Sequence, residues 1–142
     1  MVRLLPLALL ALALGACDAT EERPPRTVPA DTLFTLTYRI QPTDQAGAPA
    51  VDVIRYTGLD GDVGTLQNVG LPWTISIRAP RAVDRTYSLE AEVTVGGDVT
   101  GMVARMFVDG EPVSEGVVPG EPGGFNRTRT ARATYRHRPS GR

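Results

Sequence analysis

The chain contains no lysine: all of its 15 basic residues are arginine. It has one cysteine, Cys17, and one histidine, His137, so neither a disulfide nor a Cys/His zinc site can be assembled from its side chains. It also lacks a run of roughly 20 apolar residues, the length needed to span a bilayer as a helix. Tryptophan is represented once, by Trp73, and the formal net charge is −1, a balance that gives no reason to expect nucleic-acid binding. An all-Arg basic set points to a GC-rich genome rather than to a function. No cofactor is expected.

What is present begins at the N-terminus. Arg3 and the amino group supply positive charge, Leu4 to Leu14 is a short run of Leu and Ala broken by Pro6, and the small residues Gly15 and Ala16 precede Cys17. Basic, apolar and small-residue zones in that order define an export signal. Leu14-Gly15-Ala16-Cys17 resembles the lipobox of bacterial lipoproteins, which implies cleavage before Cys17 and acylation of its thiol, with palmitate among the acyl chains. The alternative is an ordinary secretory signal with an incidental cysteine. Each buried methylene of an acyl chain contributes about 0.8 kcal/mol, so two or three chains anchor firmly where one is marginal. The expectation is an exported, extracytoplasmic cell-envelope protein held to the membrane by lipid. It divides into a signal peptide (1–16), a Pro-rich tether (17–30) and one domain (31–142).

In the tether, Pro24, Pro25 and Pro29 stand among Glu21, Glu22 and Arg23 without apolar periodicity. Extended Pro-rich chain rises about 3.1 Å per residue, so this stretch can lift a domain roughly 40 Å from a surface. From Asp31 the pattern changes to period two. Phe34, Leu36, Tyr38 and Ile40 alternate with Thr35, Thr37 and Arg39; Trp73, Ile75 and Ile77 with Thr74, Ser76 and Arg78; and Tyr87 to Val95 with Ser88, Glu90, Glu92 and Thr94. Such alternation marks antiparallel strands with one buried face. Weaker runs occupy 50–57, 64–69, 102–108 and 129–137. Asp60-Gly61, Gly96-Gly97 and Asp109-Gly110 read as hairpin turns, and 42–49 and 118–124 as longer loops. The expectation is an all-β, immunoglobulin-like antiparallel sandwich of about seven strands, with Trp73 packed in the core.

Val69-Gly70-Leu71-Pro72-Trp73 resembles the "LPW" motif of the MmpS family of small membrane proteins. Ile54-Arg55-Tyr56 with Gly58 to Asp62 is similar to that family's first hairpin, and Leu89, Ala91 and Ala104 to Val113 to its later "DG" segment. The resemblance covers roughly residues 34–115. It implies an immunoglobulin-like sandwich outside the membrane, acting as accessory to a large multi-pass transporter that exports lipids or siderophores. Two features depart from the family. The anchor here is a lipobox rather than a transmembrane helix, and the family's cysteine pair, whose first member would fall near Ala104, has no counterpart.

Candidate chemistry is sparse. A Ser–His–Asp triad would have to bring the tail residue His137 to Ser76, Ser88 or Ser114, none of which has a nucleophile-elbow context. His137 is expected to be a solvated strand-end residue. Glu90 and Glu92 fall on one strand face and read as a solvated face rather than a glycosidase pair. Asp60 and Asp62 flank Gly61 in an ordinary turn that lacks the spaced ligands of an EF-hand. The uneven feature is the C-terminal run of Arg127, Arg129, Arg132, Arg136, Arg138 and Arg142, which contains no acidic residue. Arg129, Arg132 and Arg136 form a candidate basic contact strip for anionic headgroups, wall polymers or an acidic partner, with Thr130 and Thr134 sharing the outward face of Arg132 and Arg136. The alternative is a solvated edge whose charges block aggregation. The functional expectation is a non-enzymatic contact protein, with a lipid-anchored carrier of a small ligand or glycan as the alternative.

Overall fold

The computed structural model describes residues 32–43, 50–99 and 101–140. The signal segment, the tether and Cys17 lie outside these residues, as does most of the 42–49 loop. Eight strands follow one another: β1 (Leu33–Pro42), β2 (Ala50–Thr57), β3 (Val63–Gly70), β4 (Trp73–Pro80), β5 (Arg85–Val99), β6 (Met102–Val108), β7 (Glu111–Val118) and β8 (Glu121–His137). They form two four-stranded sheets, ordered β4-β1-β6-β7 and β3-β2-β5-β8, and every pairing is antiparallel. The expected all-β sandwich is therefore present, with eight strands rather than about seven. The chain crosses from β1 to β2 and again from β4 to β5, so the neighbours β1/β4 and β2/β5 interlock across the two layers, a Greek-key connection.

Alternation in the sequence becomes alternation in burial. Phe34, Leu36, Tyr38 and Ile40 of β1 are buried, as are Tyr87, Leu89, Ala91 and Val93 of β5. Met102, Ala104 and Met106 of β6 add to the same core, and β8 supplies Ala131 and Ala133. Bulky side chains of the first sheet share one core with the small Ala91, Ala131 and Ala133 of the second, which suits a close approach of the two layers. β2 departs from strict alternation, burying both Val51 and Ile54. There the Asp52 carboxylate accepts the Thr94 N–H at 2.6 Å, standing in for a ladder bond where β2 parts from β5.

The turns sort into two confirmations and two corrections. Asp60-Gly61 lies in the connection between the antiparallel pair β2 and β3, with Gly61 at φ 94°. Asp109 and Gly110 have φ of 49° and 90°, the double left-handed geometry of a two-residue hairpin between β6 and β7. Gly96-Gly97 is not a hairpin turn. β5 runs on to Val99 with register irregularities on either side of Gly97, and its partner β8 starts at Glu121, inside the stretch read as a long loop. Paired with each other, two Gly-rich segments satisfy their ladder bonds and continue a ribbon that their composition alone would end.

The uncounted strand is β7. Its positions facing the second sheet are Ser114, Gly116 and Val118, of which only the last is a bulky apolar residue, so it carries little alternation signal. The reason lies in packing. A Cβ at Gly116 would come 2.0 Å from the Arg132 carbonyl oxygen, and the Thr134 N–H donates to Ser114 Oγ at 3.0 Å. The edges β7 and β8 thus meet backbone to backbone and seal one side of the sandwich. On the opposite side β3 and β4 end their sheets, joined through Leu71 and Pro72, and neither has a second strand neighbour among the described residues.

Candidate functional site

Arg132 and Arg136 stand on the outward face of β8, opposite Glu90 and Thr86 of β5. Arg132 Nε lies 2.7 Å from Glu90 Oε1. Arg136 donates from Nε and Nη2 to the two carboxylate oxygens of Asp84, both at 3.0 Å. The Arg136 hydrogen bond holds the Asp84 carboxyl below the usual range, and Asp84 in turn raises Arg136. Arg129 pairs with Val93 and belongs to the opposite, core-side face; its Nη1 donates to the Pro119 carbonyl at 2.8 Å. The structure brings together two members of the predicted strip and separates the third, because an odd offset along a strand reverses the face.

Carboxylates of β5 account for most of the rest of that surface. Glu92 lies 3.4 Å from Arg55, and Glu90 serves Arg132, so the two glutamates are held by arginines on opposite neighbouring strands. Ser76 bonds Thr37 at 2.8 Å and Ser88 bonds Thr57 at 3.0 Å, both across strand pairs. Among the described residues no group of three or more His, Cys, Asp or Glu side chains could hold a metal ion.

His137 is a correction to the sequence reading: it is 8% exposed, not solvated. Its ring stacks on Phe34 with centroids 4.4 Å apart, and Nε2 donates to the Arg81 carbonyl at 2.9 Å. A carbonyl can only accept, so Nε2 carries the proton and Nδ1 is left to face the Tyr135 hydroxyl at 3.4 Å. Arg81 itself donates through Nε to the Leu33 carbonyl and pairs with Asp109, whose other oxygen accepts the Thr35 N–H at 2.8 Å. These bonds tie the start of β1, the β4–β5 turn, the β6–β7 turn and the end of β8 into one corner. They position secondary structure.

The open side of the sandwich has different contents. Trp73 is half-buried rather than fully in the core, with its ring 5.7 Å from that of Tyr56; Tyr56 lies 5.7 Å from the fully buried Tyr38. The Tyr38 hydroxyl donates to the Thr57 carbonyl at 2.6 Å, and burial pushes its pKa well above the ordinary tyrosine value. Gly64 makes room for this aromatic row, since a Cβ there would sit 2.7 Å from the Tyr56 ring. Leu66, Leu71, Ile75 and Ile77 are half-buried along the same side. The result is an apolar rim running between two sheet edges that have no further strand beside them. Such a rim can take up apolar side chains while the edges offer backbone N–H and C=O groups. Sequence reasoning placed Trp73 in the core and took Leu66 only as part of a weak strand run and Leu71 only as part of a motif; the available signal for a rim was a cluster of apolar residues next to a strand carrying few others.

Comparison with models of known protein families gives no match, and comparison with curated proteins gives none either.

Proposed function

We propose that the chain is a non-enzymatic cell-envelope lipoprotein, anchored through Cys17, whose sandwich acts by contact with a protein partner along its β3/β4 side. The observation that carries this reading is the asymmetry of the sandwich. One side is sealed by β7 against β8, and the other presents the Trp73–Tyr56 rim between two unaccompanied edges. The space between the sheets is filled by Phe34, Leu36, Tyr38, Ile40, Tyr87 and Leu89, each at most 1% exposed, which favours contact at the rim over carriage of a ligand between the layers. Val69, Leu71 and Trp73 of the MmpS-like motif fall on this rim, so a large multi-pass envelope transporter is the first partner to test.

The test is a crosslinked pull-down of the tagged chain from native membranes, with identification of bound proteins by mass spectrometry. Recovery of a multi-pass transporter, lost on Trp73→Ala, supports the reading; recovery that ignores Trp73→Ala overturns the assignment of the rim. The anchor has its own readout. Radiolabelled palmitate should enter the wild-type chain and be absent from Cys17→Ser, and equal labelling of the two would refute attachment at Cys17. A carrier would instead be purified with bound lipid, or would melt at a higher temperature with its ligand.

A further inference from the structure

Positive charge without a matching carboxylate stands on the outward face of the β4-β1-β6-β7 sheet, the opposite sheet from the β8 strip. Three cations, Arg39, Arg78 and Arg105, face outward there against one carboxylate, Glu115. Arg105 pairs with Glu115 at 2.5 Å. Arg39 places its guanidinium carbon 4.9 Å over the Phe107 ring, and exposed Arg78 has no carboxylate partner among the described residues. The other face of the sandwich is balanced, with Arg55, Arg132 and Arg136 matched by Glu92, Glu90 and Asp84. The cationic face also carries apolar surface at its β7 edge. Val113 and Val117 are 38% and 51% exposed along β7, Val113 next to Pro112, the partner of half-buried Phe107, and Val117 opposite half-buried Val103.

We propose that this face docks on an anionic bilayer surface. Two unpaired arginines supply attraction to acidic phospholipid headgroups, and the Phe107–Val113–Val117 margin supplies apolar area that can enter the headgroup region. Register separates Arg39 from Arg78 by four residues along adjacent strands, or about 14 Å, so each can meet a different headgroup. The proposal rests on the membrane-tethered reading, which keeps such a surface within reach. It adds which face turns toward the bilayer, and with it leaves the β3/β4 rim at the side of the docked domain.

The test uses the full-length Cys17→Ser chain, which takes up no lipid, sedimented with phosphatidylcholine vesicles that contain or lack phosphatidylglycerol. The quantity read is the gain in binding due to phosphatidylglycerol, to which the N-terminal segment with Arg3 contributes alike in every variant. Arg39→Gln/Arg78→Gln should reduce that gain by about thirtyfold, the effect of two surface cations. Arg132→Gln/Arg136→Gln removes the same formal charge from the opposite face, where screening over about 8 Å limits its reach, and should reduce it by less than about threefold. No gain for the parent chain, or an equal fall in the two double variants, overturns the proposal. Palmitate labelling of the wild type reports separately on the anchor.

Discussion

Gly116 and Tyr38 show how single atoms set this structure. At Gly116 a methyl group would overlap the Arg132 backbone, and a backbone cannot rotate away as a side chain can. Gly116→Ala should therefore part β7 from β8 and lower stability by about 2 kcal/mol, within the range for overpacking, as read by urea denaturation. Tyr38→Phe removes a buried hydroxyl that donates to the Thr57 carbonyl and should cost about 1–2 kcal/mol. Asp109 adds a pH dependence. Its carboxyl is held below the usual value by the Thr35 N–H, with Arg81 helping. A depressed folded-state pKa gives stability that is present above the unfolded value of about 3.9 and is lost as pH falls toward the folded value. Melting temperature should drop as pH is lowered below about 4, and Asp109→Asn should lower it at neutral pH while flattening the acid decline.

At the scale of the strand, legibility followed burial. β1 and β5 were plain in the sequence because they have four and five apolar residues, respectively, at every second position and a polar face between them. β7 was not, because a seam against another backbone calls for Ser114 and Gly116, residues that also occur in turns. The Gly96-Gly97 and 118–124 segments misled for the converse reason. Their composition suits a turn, but across the sheet they find each other, and pairing decides where local preference is weak. The arginine strip was legible as a charge run and illegible as a site, since its partners Asp84 and Glu90 come from another part of the chain. The Arg132–Glu90 pair is largely solvated, with Arg132 64% exposed, so a double-mutant cycle should give no more than about 0.5 kcal/mol. The apolar rim could not be read before the edge positions of β3 and β4 were known, because half-buried and buried residues share one hydropathy.

The whole molecule presents three unlike surfaces: a charge-balanced sheet, a cationic sheet with an apolar margin, and an open side where edges and aromatic rings meet. Its only tryptophan sits on the open side, so emission reports on that side. Occupation of the rim should shift Trp73 emission to shorter wavelength and protect it from acrylamide, whereas docking through the cationic sheet should leave both nearly unchanged. Fluorescence thus distinguishes the two modes of contact within one sample. β1 adds a last consequence. The strand entered from residue 32 is not an edge but is flanked on both sides, with eight residue pairs to β4 and seven to β6. Tension applied at residue 32 acts along the length of β1 and loads both ladders in shear. The domain should therefore yield to a pull at residue 32 only when many hydrogen bonds give way together.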